Sequence, residues 1–259
     1  MQRDGASYMF LFAGAVCVVC AILVSTSAVS LKERQQTNQA LDRQRNVLYV
    51  TGLASPDEGL ERDEVIALFE ERMKPVVIEL ETGEVVENPP FEIEGYDQDK
   101  AADDSELGRA APPNQANVQR LPKYALTYQM LSESGQVEML VLPIKGYGLW
   151  STLYGYLAVN NDGNTVEGIT YYQHGETPGL GGEVDNPRWK ALWPGRKIYD
   201  DSGAVEIEVI KGQAGPASSD PYQVDGLSGA TITSRGVSNM FDLWMGPDGY
   251  KPYLDKFRG

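Results

Sequence analysis

Residues Tyr124–Tyr172 read YALTYQMLSESGQVEMLVLPIKGYGLWSTLYGYLAVNNDGNTVEGITYY, and this stretch decides the fold. Four runs inside it, Tyr124–Leu131, Val137–Ile144, Tyr154–Val159 and Val166–Tyr172, are rich in β-branched and aromatic residues. Turn signals such as Asn161-Asp162-Gly163-Asn164 separate them. Val205–Ile210 predicts a further strand and Ser234–Met245 a closing helix. Successive strands followed by a helix predict an α+β domain on an antiparallel sheet with flanking helices. We set this domain at residues 121–259.

Upstream, Ala110–Pro122, with Pro112 and Pro113, reads as connector. Residues 57–106 hold 18 acids and 4 bases, which is nearly all the surplus behind the chain's formal charge of −15. Much of this segment, Asn88-Pro89-Pro90 and Asp97–Glu106, lacks a periodic apolar face and predicts a solvated excursion or long loop. Ser55-Pro56-Asp57-Glu58 is cap-like and opens an amphipathic helix over Ser55–Lys74. Leu41, Val47 and Leu48 lie at helical spacing in the charged sequence that follows residue 31. Residues 32–120 are therefore expected to form a helical and acidic connecting region.

Tyr8–Leu31 is 24 residues without a charge. A bilayer-crossing helix needs about 20 largely apolar residues, whereas a cleaved signal has an apolar core of only about 7–15. The stretch predicts a single transmembrane anchor over residues 8–31. Cys17 and Cys20, the only cysteines, fall on one side of that helix and read as small apolar packing residues. Two cysteines make no disulfide framework, and the single histidine, His174, excludes a site built from several imidazoles. No metal site is expected. The acidity argues against nucleic acid, which requires a basic stripe.

Three constellations stand out in the C-terminal domain. Lys145-Gly146-Tyr147-Gly148-Leu149-Trp150-Ser151 puts glycines beside a tryptophan after a strand, as a flat ligand or a simple strand-end turn would need. His174-Gly175-Glu176-Thr177-Pro178-Gly179-Leu180-Gly181-Gly182 is an amide-exposing loop, shaped either as an anion or cofactor cradle or as a long glycine-rich turn. Asp225-Gly226-Leu227-Ser228-Gly229-Ala230-Thr231-Ile232-Thr233-Ser234 runs small residues and hydroxyls into the closing helix, where they serve as N-caps or hold a phosphate at the helix N-terminus. Gly226-Leu227-Ser228-Gly229 is not Gly-x-Ser-x-Gly, so a serine-hydrolase site on Ser228 and His174 is not expected. Nor does any Gly-x-Gly-x-x-Gly follow a strand to hold a dinucleotide.

The anchor, His-Gly-Glu-Thr-Pro-Gly-Leu-Gly and Asp-Gly-Leu-Ser-Gly-Ala-Thr together resemble the NqrC family, the C subunits of the sodium-translocating NADH:quinone oxidoreductases. The resemblance spans the whole chain, while Ser-Gly-Ala-Thr recurs in a wider FMN-binding family that includes the G subunit of Rnf-type complexes. It implies FMN joined through its phosphate to Thr231 by a separate flavin transferase that uses FAD and Mg2+. Thr233 is the nearest alternative hydroxyl. An unactivated threonine is a poor nucleophile, which suits activation by an outside enzyme. The glycines at 226 and 229 would admit that enzyme, and Asp225 would help it position metal or hydroxyl. On this reading Ser228, Gly229 and Ala230 surround the phosphate. Trp150 and Leu180 wall the isoalloxazine, with Glu176, Thr177 and the amide of Gly179 as polar contacts. His174 organises the loop, and no residue of the chain is expected to be catalytic by itself.

The function so implied is one-electron relay among the other members of an inner-membrane complex that oxidises NADH, reduces ubiquinone and exports Na+. The resemblance places the flavin domain in the periplasm. Lys32, Arg34, Arg43 and Arg45 follow the span while only Arg3 and the amino terminus precede it, a bias that points the other way. An Rnf-type flavin subunit and a flavin-free anchored accessory domain are the competing readings.

Overall fold

The computed structural model describes residues 5–258; Arg3 lies outside the described residues. The chain divides into two units between Arg43 and Gln44. Helix α1 runs Ala6–Val50. Within it Tyr8–Lys32 has a mean hydropathy of 2.5, and none of that segment is buried in protein. Its 25 residues are long and apolar enough to cross a bilayer. Cys17 and Cys20 are exposed and unbridged there.

In the second unit, Val47, Leu48 and Val50 at the end of α1 are buried, and Arg45 Nη2 donates to the Leu60 carbonyl at 3.1 Å. Ser55 and Glu58 close a capping box over a single turn, Pro56–Glu58. Helix α2 (Arg62–Arg72) buries Val65 and Phe69. The helix expected over Ser55–Lys74 therefore stops at Arg72, and the chain passes straight into a strand.

That strand, β1 (Met73–Glu79), lies within the acidic segment where no strand was expected. Val76, Val77 and Ile78 are buried, and β1 lies antiparallel to β4 with Val77 opposite Leu126. Pro75 is tolerated because β1 is the sheet's edge. Helix α3 (Gln98–Asp103) is capped by Asp97, whose Oδ1 accepts the Asp99 amide at 3.1 Å and the Lys100 amide at 3.3 Å. It buries Ala101 and Ala102, and Lys145 Nζ meets Asp99 Oδ1 at 2.6 Å. The acids stay outside while small and branched residues go in.

Two short strands, β2 (Gly108–Ala110) and β3 (Arg120–Pro122), pair with each other. The meander follows: β4 (Tyr124–Leu131), β5 (Val137–Tyr147), β6 (Thr152–Asn160) and β7 (Val166–Gln173), giving the sheet order β1-β4-β5-β6-β7, antiparallel throughout. Because β1 bonds to β4, the boundary expected at residue 120 falls inside one unit. After α4 (Pro187–Lys190), Val205–Ile210 yields only β8 (Glu208–Val209), which pairs in parallel with β9 (Gln223–Val224) and stays out of the main sheet.

Helix α5 (Thr231–Trp244) begins three residues before the expected Ser234, so Thr231 is its first residue. Its buried stripe of Val237, Met240, Phe241 and Trp244 lies over β5, with Phe241 stacked on Trp193 at 4.9 Å. Trp244 Nε1 donates to the Lys145 carbonyl (2.6 Å), and Tyr250 OH donates to that of Pro143 (2.7 Å). Buried rings thus satisfy their polar tips on the strand they cover. Helix α6 (Lys251–Arg258) ends the described chain.

Candidate functional site

The three glycine-rich stretches meet at the N-terminal end of α5. Glu176 joins two of them to the helix. Its side chain is turned inward, and the residue is 5% exposed. Oε1 accepts the amides of Leu149 (3.1 Å), Trp150 (2.8 Å) and Ser151 (3.1 Å), and Oε2 accepts the Thr233 hydroxyl at 2.7 Å. Three successive amides converging on one oxygen form a nest for negative charge. Burial alone would push this carboxyl up; the Thr233 hydroxyl and the amides of Trp150, Leu149 and Ser151 outweigh it and hold the group below its ordinary value. Gly148 and Gly181 leave the room that the carboxylate fills. Glu176 is therefore a strut inside the protein, its carboxylate bonded to the turn at 149–151 and to Thr233.

The rest of the loop is held just as locally. His174 Nε2 meets Asp185 Oδ2 at 2.9 Å, and its Nδ1 accepts the Glu176 amide at 3.3 Å. Ser151 Oγ accepts the Gly175 amide at 2.6 Å. Thr177-Pro178-Gly179-Leu180 is a tight turn closed by the Leu180 amide on the Thr177 carbonyl at 3.1 Å. Its Leu180 reaches Gly229, where φ is +74° and a β-carbon would stand 2.9 Å from Leu180 Cδ2. Gly229 answers both the left-handed turn and the close approach.

Thr231 and Thr233 differ sharply. Thr233 is fully buried and its hydroxyl is committed to Glu176. Thr231 is exposed, and its hydroxyl has no partner among the described residues. Ala230, the residue before the helix, supplies no side-chain cap, so the first-turn amides of α5 keep their positive end open. Ser228 is exposed beside them. Asp225 is anchored, with Oδ1 accepting the Ala214 amide (2.9 Å) and its carbonyl accepting Trp189 Nε1 (2.8 Å).

Trp150 (66% exposed), Leu180 (44%) and Ile232 (54%) are exposed apolar side chains around this helix start. A cleft of about 880 Å³ is lined by Asp225, Ser228, Thr231, Lys211 and Arg235 among others. Neither Lys211 nor Arg235 has an ion-pair partner among the described residues. Sequence reasoning missed Ile232, Lys211 and Arg235. Only the spacing of four from Thr231 to Arg235 pointed to one of them.

Residues 148–245 match the family model described as an FMN-binding domain. The C subunit of the Na(+)-translocating NADH-quinone reductase of Pseudomonas aeruginosa is 44% identical over 99% of this chain and 98% of its own length. The chain belongs to the NqrC family. Its Vibrio parahaemolyticus relative is 42% identical over 93% of this chain and 91% of its own. The crystal structure of NqrC from Shewanella oneidensis superposes with a TM-score of 0.77 at 33% identity, over 84% of this chain and 96% of that one. The corresponding protein from Parabacteroides distasonis gives 0.65 at 28% identity, over 86% and 96%. Likeness to the NqrC family extends over the anchor and the acidic segment as well as the flavin-type domain, and the Rnf-type reading is not favoured.

Proposed function

We propose that this chain is the FMN-carrying subunit of a membrane NADH:ubiquinone oxidoreductase that exports Na+, with the flavin held through a phosphoester on Thr231. The observation that carries the reading is the contrast between two hydroxyls: Thr231 stands free on the first turn of α5, whereas Thr233 is buried against Glu176. The residues suit the group. Open first-turn amides and the nearby Arg235 favour a phosphate, and Trp150 and Leu180 offer a wall for an aromatic ring. Thr177 and Gly179, both exposed at the adjoining turn, are the remaining polar neighbours we assign to it.

When bound, FMN supplies reversible uptake and release of electrons. The chain's own part is to orient the group and keep it accessible to neighbouring redox proteins of the complex. We assign attachment to a separate flavin transferase using FAD and Mg2+. The Thr231 oxygen gains a bond to phosphorus, the pyrophosphate bond of FAD breaks, AMP leaves, and the hydroxyl proton passes to the transferase. Ser228 and Gly229 flank Thr231 on the exposed side where that enzyme approaches, and Ala230 sets the helix start behind it.

We place the soluble unit in the periplasm. The basic bias after the span is weaker than its count, since Arg45 is used inside the fold on the Leu60 carbonyl. A Glu87→Cys variant without Cys17 and Cys20, labelled with an impermeant thiol reagent in intact cells, tests this; protection until lysis overturns it. The attachment site is tested by in-gel flavin fluorescence after denaturation, with the transferase co-expressed. Wild type and Thr233→Ala should fluoresce and Thr231→Ala should not. Fluorescence persisting in Thr231→Ala refutes the site, and a dark wild type refutes the flavin reading in favour of an accessory domain.

A further inference from the structure

Glu176 is a buried carboxylate whose charge is compensated by dipoles alone. Three amides of the turn after β5 and the Thr233 hydroxyl on α5 surround it, and no Lys, Arg or His side chain bonds to the carboxylate among the described residues. Hydrogen bonds from dipoles stabilise the ionised form without cancelling its charge. The same carboxylate is also the direct link between the backbone that carries Trp150 and the helix turn that carries Thr231. A group attached at Thr231 and resting on Trp150 thus has its point of attachment and its wall fixed to one side chain.

We propose that Glu176 is a positioning residue for the flavin: it locks the Trp150 wall to the attachment turn, and its uncancelled negative charge behind both makes the flavin harder to reduce. This rests on the assignment of FMN to Thr231 and adds a role that does not require contact with the ring. The sign follows from electrostatics, because adding an electron near a fixed negative charge is disfavoured, the more so where protein rather than water lies between the two. The geometry also separates the two effects. In Glu176→Gln the amide oxygen takes the place of Oε1 under the Leu149, Trp150 and Ser151 amides. The new NH2 group donates to Thr233 Oγ1, whose own proton turns away. The Trp150, Ser151 and Thr233 bonds persist, the Leu149 amide keeps Oε1 but loses its second acceptor at Oε2 (3.2 Å), and the charge is gone. In Thr233→Val the charge stays and the tie to α5 is lost.

The test uses the full-length, flavinylated chain in detergent, read by spectroelectrochemical titration and by flavin fluorescence anisotropy. Glu176→Gln should load flavin on Thr231, keep wild-type anisotropy, and raise the one-electron equilibrium constant for reduction at least tenfold, about 59 mV in midpoint. Thr233→Val should keep the wild-type midpoint within threefold and show lower anisotropy. A wild-type midpoint in Glu176→Gln overturns the electrostatic role, and wild-type anisotropy in Thr233→Val overturns the positioning role. Should Glu176→Gln yield no folded chain, the Thr233→Val anisotropy decides alone. A wild-type chain without flavin on Thr231 instead defeats the underlying assignment.

Discussion

Replacing Gly236 by alanine should destabilise the protein, against the usual sign for a helix interior. In an ordinary helix, Gly→Ala gains about 1 kcal/mol through reduced backbone entropy in the unfolded chain. At Gly236, on the second turn of α5, a β-carbon would stand 2.4 Å from the Tyr147 carbonyl oxygen, 3.1 Å from Gly148 Cα and 3.3 Å from the Tyr147 carbonyl carbon. All three atoms are backbone and cannot rotate away, so α5 must lift from the end of β5. Overpacking of this kind costs about 1–3 kcal/mol and sometimes more, and lifting α5 also strains the Glu176 bonds to the neighbouring amides. Because the 2.4 Å clash is with fixed backbone, the cost sits at the upper end, about 2–3 kcal/mol, and the net loss is about 1–2 kcal/mol after the propensity gain of about 1 kcal/mol. For a domain of this size that lowers Tm by about 2–8 °C. Thermal unfolding of the detergent-solubilised chain, followed by near-ultraviolet circular dichroism of its buried tryptophans, reads the shift. An unchanged or raised Tm would refute the claim that the helix and strand backbones meet at this glycine.

Ile78→Ala, inside the acidic segment, should cost about 2–5 kcal/mol in a denaturant titration, because Ile78 is fully buried on β1; a loss below about 1 kcal/mol would mean that the strand is dispensable to the domain. Acid should erase part of the fold's stability through Glu176. A carboxyl held below its ordinary value when folded contributes stability above its unfolded pKa, about 4.3, and loses it as pH falls through the folded value. The stability gap between wild type and Glu176→Gln should therefore be widest at neutral pH and close below about pH 4; a gap that stays constant down to about pH 3 would contradict this.

The strands of residues 124–172 were legible because each is rich in β-branched and aromatic residues, with turn residues at the breaks. The anchor was legible from length and lack of charge. β1 was not. Arg72 leads into Met73 with no turn signal, and Met73–Glu79 is an edge strand containing a proline, set among acids that dominate its local composition. What recruits it is pairing with β4, far along the chain. Val205–Ile210 failed in the opposite sense. Its β-rich composition serves buried Ile207 and Val209 in an irregular stretch, and only two residues pair. Within the site, the small-residue motif before α5 announced itself, as did the tight turn at Pro178-Gly179. The role of Glu176 did not, because a glutamate in a glycine-rich loop reads as exposed. Its partners at 149–151 and 233 are brought to it only by the folded sheet and helix.

The unequal placement of Thr231 and Thr233 would also date the proposed modification. In an unfolded chain these are two similar hydroxyls two residues apart, and nothing in their immediate sequence denies either one to an attacking enzyme. The distinction exists only after the loop bearing Glu176 has closed on α5 and withdrawn Thr233. Under the attachment proposed above, a transferase choosing by access alone would therefore label Thr231 only in a chain already folded. On that proposal the cofactor would double as a seal of completed folding.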